Sequence, residues 1–456
     1  MISANAVQQF CTLIWFGLVV ATLVRCCFSV KQALRSLLVC VLLSPVLQVG
    51  GQTVRIELVL VPLLLFVTAI QFPGKLFGAV TRPVSLWLLG WLLWVMVASL
   101  WNGGGRPAAI FGWWIEVYGL GRLLMVFWLF SMFSWTSEEW RTLMKTLALT
   151  AVPIGLLSIG QVLNVAGARL LTAAAYVPAT SPVFQQQLEK EQDGYVFRAL
   201  GVFGNVSPAA FYFSIVAGSC LVGLLPKERG VGAPGKGVWL TCGLVCALGG
   251  IATMSGTFVA GFPIIIVLAF WVSRKQLTYR RLFLLFAVLV SIVVVTLGVV
   301  YSNPRLKAQY DYQVEGLISG ERFKSRYDDE VGVTRDAAVL IAQHPLLGGF
   351  GREQDVFIGD SVFTLLGFYG GYIGAGLFAI FLVVLFVQIP SRGVSAHAAL
   401  WLLGAGLFGI STTSVFTLRL SDWWWAIMGI ASAAQAGAAP PPPVPDPGLT
   451  PTAEHS

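Results

Sequence analysis

Charge is what this chain of 456 residues has least of. Only 11% of its residues are charged and 57% are hydrophobic, whereas a soluble domain carries about 25% charged residues. That excludes an ordinary soluble enzyme and points to a polytopic membrane protein. Histidine is scarce, with three in all at His344, His397 and His455, so a histidine-rich metal centre is excluded. The seven cysteines (Cys11, Cys26, Cys27, Cys40, Cys220, Cys242, Cys246) fall in or beside apolar segments, and none forms a Cys-x-x-Cys pair. Neither disulfides nor a metal or other cofactor is therefore expected. No internal repeat is visible, which argues against an inverted-repeat transporter. The first apolar segment lacks a basic start and a small-residue cleavage site, so no cleavable signal peptide is expected. The net charge of +8 is not a nucleic-acid signature, because the basic residues sit in short loops, as retention on the cytoplasmic side requires.

What the chain has is apolar length. At about 20 residues per crossing, 12–13 transmembrane helices are expected, near 9–28, 33–50, 55–72, 83–101, 110–133, 141–163, 200–225, 238–254, 256–273, 282–301, 360–388, 396–417 and 420–437. The fold class is all-α, with one polytopic domain over 1–437. The Ala/Pro-rich tail 438–456 lacks the apolar surface to fold. The basic clusters Arg25/Lys31/Arg35, Lys75/Arg82, Lys227/Arg229/Lys236 and Arg274/Lys275/Arg280/Arg281 alternate to one side. By the positive-inside rule that side is the cytoplasm. The two largest polar loops, 164–199 and 302–359, then share the outer face, and the N-terminus is outside.

The loop 302–359 is a polar island between apolar helices, and long loops with a composition of their own are usually functional. It carries Arg305, Lys307, Arg322, Lys324, Arg326, Arg335 and Arg352 among acids. Arg322 and Arg326, four residues apart, share a face if helical. Their bland role is salt bridging to Glu321, Asp328, Asp329 and Glu330. Thr334 reads as the N-cap of a helix over 335–343 that His344-Pro345 stops. Gly348-Gly349-Phe350-Gly351 reads either as a flexible turn or as close backbone approach to a ligand. The earlier loop ends in Arg198-Ala199-Leu200-Gly201-Val202-Phe203. An arginine there offers a fork of donors to a phosphate or pyrophosphate, or else snorkels to headgroups. Inside the apolar spans Glu116 and Arg122 each need a partner, because a charge at mid-membrane costs roughly 2.5–3.5 kcal/mol or more. Arg419 and Asp422 are spaced to pair with each other beside Trp423, Trp424 and Trp425, as an anchor at the membrane interface.

Together these segments resemble the O-antigen polymerase and O-antigen ligase family of bacterial envelope enzymes. The family has Arg-x-x-Gly-x-Phe at the end of an outer loop, here Arg198 to Phe203. Further on it has an outer helix running into a His/Asn-Pro-Leu-x-Gly-x-Gly turn, here Arg335 to Gly351. A polar pair then opens a Gly-rich helix, here Asp360-Ser361 leading to Gly370-Gly371-Tyr372-Ile373-Gly374. The resemblance covers 198–388. Ligases of the family commonly open that helix with His-Asn, so Asp360-Ser361 favours a polymerase. The arginine often found between the paired helices is missing at Ser255-Gly256.

The resemblance implies a fold similar to lipid-linked glycosyltransferases. It implies joining of oligosaccharide repeat units carried on undecaprenyl pyrophosphate, at the outer (periplasmic) face of the bacterial inner membrane. Arg198, Arg322, Arg326 and Arg335 would hold the pyrophosphate, and Asp360 would be the acceptor's base or, in its bland role, a helix cap. His344, Gly349 and Gly351 would line the loop site. Implied partners are the lipid-linked donor and acceptor, membrane lipids, and chain-length regulator and export proteins. An O-antigen ligase is the alternative within the class. A lipid-linked oligosaccharide exporter and a non-catalytic scaffold are alternatives outside it; an exporter should show repeated halves and ionisable residues along a central cavity.

Overall fold

A computed structural model describes residues 4–49, 52–103, 107–165, 167–177, 181–193, 195–224, 236–274, 300–321, 334–350, 361–389, 395–410 and 419–436, with isolated positions between these stretches. The chain is helical almost throughout. Helices α1 (Ala4–Phe28) and α2 (Val30–Leu43) are followed by a short antiparallel hairpin, β1 (Leu47–Val49) and β2 (Gln52–Val54), with Leu47 opposite Val54. Then come α3 (Ile56–Gln71) and α4 (Pro73–Val80), which meet at a bend of 116°. Helices α5 (Pro83–Gly103), α6 (Pro107–Ser131) and α7 (Ser137–Leu163) follow. The first long loop holds α8 (Ala168–Ala175) and α9 (Pro182–Gln192). Next are α10 (Val206–Leu224), α11 (Lys236–Ala252) and α12 (Gly256–Ser273). The second long loop holds α13 (Pro304–Ile318) and α14 (Arg335–Gln343). The chain continues through α15 (Val362–Gln388), α16 (Ser395–Phe408) and α17 (Leu420–Ala436).

Among the described residues six helices (α1, α5, α7, α10, α12 and α15) are long and apolar enough to cross a membrane, or seven if bent α3–α4 is one span. This makes an all-α polytopic membrane protein. Of the other expected spans, α6 has 25 residues, and the described helices α2, α11, α16 and α17 have 14–17. Most of the expected span 282–301 lies outside the described residues, as does the tail 438–456. The expected span 33–50 ends early, at Leu43. Ser44-Pro45 stops it, since a residue before proline is pushed out of the helical region. The Leu-Gln-Val and Gln-Thr-Val runs then pair across Gly50-Gly51 in the manner of a hairpin.

Local signals explain several helix starts. Thr136 caps α7 through a capping box, its hydroxyl accepting from Glu139 N while Glu139 accepts from Thr136 N. Lys31 of α2 completes that corner with an ion pair to Glu139 at 2.9 Å. Asn303 accepts from the amides of Arg305 and Leu306 and so caps α13, whose first residue is Pro304.

Helix α10 is buried along its length, packed on by α7, α11, α12 and α16. A second group comprises α5, α6, α15 and α17, and α2 touches α7, α3 and α17 between the two. Gly249 of α11 lies so near α7 that a Cβ there would fall 3.1 Å from Gly155 Cα. Small residues of this kind let membrane helices approach closely. Trp423, Trp424 and Trp425 are not an interface anchor as expected: all three are buried. Their indole N–H groups donate to the carbonyls of Leu38, Trp401 and Val415. An indole hidden from water needs such a partner.

Candidate active site

The Arg198 turn is built on a buried glutamine. Gln161, in the last turn of α7, accepts from the amides of Leu200 and Gly201 at 3.0 and 3.1 Å, and its amide group donates to Thr172 Oγ1 and Gly201 O. Every polar atom of the side chain is satisfied in the interior, so the turn has one shape. Gly201 has φ +56° with Phe203 and Ser158 closing around it, the left-handed backbone that glycine adopts most readily. Beneath the turn, Val177, Phe184, Phe197, Leu200 and Val206 form a small apolar core. Arg169 clamps Glu191 at 2.6 and 3.0 Å while lying over the Phe197 ring at 4.3 Å. The first long loop is thus a folded cap.

Arg198 itself is half-buried. Its backbone N–H donates to Gln187 Oε1 at 3.4 Å, and its Nε donates to Thr253 O at 3.3 Å. Thr253 belongs to the turn between α11 and α12, which is sharp enough to hold Met254 at φ +44°. The second long loop reaches the same turn from another side. Gln313 of α13, buried, accepts from Gly256 N at 3.0 Å. The two loops therefore meet on one turn and lie on one face of the bundle.

Of the other expected site residues, Arg335 is exposed in the first turn of α14 and His344 ends that helix half-buried. Thr334 occupies the cap position but makes no side-chain capping bond to the helix. Arg322, Arg326, Gly351 and Asp360 lie outside the described residues. The N-cap position of α15 is Ser361, which makes no side-chain capping bond.

The glycine turn after α14 docks into a broken helix. At Gly370 and Gly371 α15 leaves helical geometry (φ −146° and +60°). Tyr372 N donates to Pro345 O at 2.7 Å, while the amides of Gly349 and Phe350 both donate to Phe368 O at 3.0 Å. Asn102 of α5 bridges the carbonyls of Gly348 and Phe350, and Trp94 donates to Gly370 O. The backbone groups freed by the break are thus re-satisfied, as the membrane interior demands. A Cβ on Gly348 would lie 2.4 Å from Phe368 O, and one on Gly371 2.4 Å from the Leu346 carbonyl carbon. What Gly348 and Gly349 approach closely is the backbone and ring of α15.

Two sets of charges sit within the bundle. In the first, Arg122 of α6 pairs with Asp422 of α17, both almost wholly buried. Glu57 of α3 is buried within electrostatic reach of both, along with Arg55 and Arg419. The expected pair Arg419–Asp422 does not form. Arg419, at φ +75°, donates to Leu42 O and lies over the Tyr176 ring at 5.2 Å. Burial pushes the Tyr176 phenol up, with the Arg419 guanidinium opposing. Burial also pulls Arg419 down to about 10, which leaves it protonated at neutral pH.

The second set is Glu116 with Tyr369. Glu116 Oε2 accepts from the Tyr369 hydroxyl at 2.9 Å, and the Glu116 residue is exposed. Tyr369 is the residue before the break in α15, and the Phe350 ring of the docked turn stacks edge-on against it at 4.7 Å. Sequence reasoning flagged Glu116 but could not supply its partner, 253 positions away. Gln161 and Gln313 were missed; a glutamine within the apolar run of α7 was the readable signal for the first.

The class these features define is an all-α polytopic membrane protein with two folded loops converging on one face. Comparison with known proteins finds no matching family model, curated protein or solved structure.

Proposed function

We propose that this protein polymerises undecaprenyl-pyrophosphate-linked oligosaccharide repeat units into exopolysaccharide or O-antigen, at the periplasmic face of the bacterial inner membrane. The observation that carries the reading is the convergence of both polar loops on the α11–α12 turn, with Arg198 held there by Thr253 and Gln187 and the second loop arriving through Gln313. A transferase with a lipid-pyrophosphate donor needs cations to hold the departing pyrophosphate as the glycosidic bond breaks. Arg198 meets that need first, with Arg335 and the expected Arg322 and Arg326 on the second loop. A guanidinium fork matches a pyrophosphate better than a point charge does. Neighbouring bonds from Gln161 fix the backbone that presents it, and such preorganisation lowers the reorganisation needed at reaction. The reaction also needs a group to take the proton of the acceptor hydroxyl. From the sequence Asp360 is the candidate for it.

The glycan of a deletion strain tests the reading. A polymerase predicts accumulation of lipid-linked single repeats; polymer that forms but stays off its lipid A anchor means a ligase. Sidedness is tested by cysteine labelling from outside. Lys190→Cys and Lys324→Cys should both react, and reaction of only one contradicts a site shared by the two loops.

A further inference from the structure

We propose that Glu116, rather than Asp360, is the catalytic base that takes the proton of the acceptor hydroxyl, with Tyr369 as its positioning residue. The inference rests on the glycosyl-transfer reading above. Glu116 differs from every other carboxylate seen inside the bundle. Asp422 is paired with Arg122 and enclosed, and Glu57 is buried among arginines. Among the described residues no lysine or arginine pairs with Glu116, and the residue keeps an open side. A base needs that combination. Its carboxylate must be reachable and must not be neutralised by a fixed cation.

Its place also fits. Glu116 lies nine residues from the start of α6, about 14 Å along the helix at 1.5 Å per residue. It faces the point where the second loop docks into the break of α15. Tyr369 donates to Oε2, and its own ring is held by Phe350 of that loop and by Phe368. Docking of the loop thus aims the phenol, and the phenol aims the carboxylate.

In the step proposed, the acceptor O–H proton passes to the Glu116 carboxylate. The acceptor oxygen forms the new bond to the anomeric carbon, and the bond from that carbon to the pyrophosphate oxygen breaks. The bonding electron pair leaves with the lipid pyrophosphate, whose charge the Arg198 side holds. The Glu116 proton then returns to water.

The test uses the purified full chain in liposomes, with the lipid-pyrophosphate-linked single repeat as donor and acceptor. Glu116→Gln keeps an acceptor for Tyr369 and nearly the same shape. It should lower kcat by roughly 10²–10⁴-fold, the usual range for a general base, with KM little changed. The acid limb of the wild-type pH–rate profile should vanish in its residual activity. Tyr369→Phe should lower kcat roughly tenfold or more, as loss of a hydrogen bond to a charged group does, again with KM kept. Should the glutamine variant fail to fold, Glu116→Asp serves instead. It keeps the charge but withdraws it by one methylene, and should fall well below wild type in kcat. Turnover of Glu116→Gln within a few-fold of wild type, with the acid limb intact, overturns the assignment and leaves the polymerase reading standing. A folded wild type that joins no repeats overturns that reading itself, and this assignment with it.

Discussion

Arg122 lies enclosed with Asp422 against it, whereas Glu116, less than two turns away on the same helix, keeps an open side and has a phenol for its partner. Both are charges on an apolar helix, and each such charge is costly in a membrane. The enclosed set has answered that cost with opposite charge and tight packing around α2, α3, α6 and α17. Nothing can reach it, and its work is to lock helices together. The open set is half-answered, by one neutral hydroxyl, and sits where a surface loop docks. A charge enclosed against an opposite charge reads as structure; one left partly open beside a loop is the candidate for chemistry.

Removing one partner of the enclosed pair is the strongest way to break this contrast. Asp422→Ala leaves Arg122 buried without its counter-ion, and such changes typically cost about 3–5 kcal/mol. The expected outcome is loss of folded protein from detergent-solubilised membranes, read by thermal unfolding. The double replacement Arg122→Met with Asp422→Leu removes both charges and should recover most of that stability. Recovery of turnover with it would confirm that the pair locks the fold and takes no part in the reaction. If the double variant folds but is inactive, the enclosed set has a chemical role and the contrast fails.

A smaller effect is expected at the seat of the docked turn. Gly371→Ala forces a side chain into left-handed backbone and against the Leu346 carbonyl. The backbone strain alone is about 1–3 kcal/mol. Limited proteolysis should show the 345–350 segment cleaved faster, with turnover reduced because Tyr369 loses the support of Phe350. Unchanged protection would mean that the turn does not depend on the break. The smallest change belongs at the opposite end of the bundle. Thr136→Ala removes the α7 cap and should cost about 1 kcal/mol of stability, with no change in turnover per folded molecule.

The helices were legible because apolar runs of membrane length leave little choice of structure. The Arg198 turn and the helix over 335–343 were legible for a second reason, since glycine, proline and capping residues mark them locally. What stayed hidden is pairing over distance. Arg122 finds Asp422 across 300 positions and Glu116 finds Tyr369 across 253, and no local pattern encodes either. The spacing of Arg419 and Asp422 suggested a local pair, but the interior offered Asp422 a better-placed guanidinium. The three consecutive tryptophans read as an interface belt, yet carbonyls of neighbouring segments satisfy all three indoles inside the bundle. The break in α15 had a signal, Gly370-Gly371, though only the docked Pro345–Gly348 turn shows why the helix must open there.

The account turns on Arg198 holding a departing pyrophosphate, and the most direct test is a reconstituted assay of wild type against Arg198→Ala and Arg198→Lys. The substrate is the lipid-pyrophosphate-linked single repeat, and the readout is polymer length with released lipid pyrophosphate. Wild type should give a ladder of polymer and Arg198→Ala none, although the folded protein remains in the liposome. Arg198→Lys should restore only part of the rate, since a point charge replaces a bidentate fork. A ladder from Arg198→Ala equal to that of wild type would contradict the account.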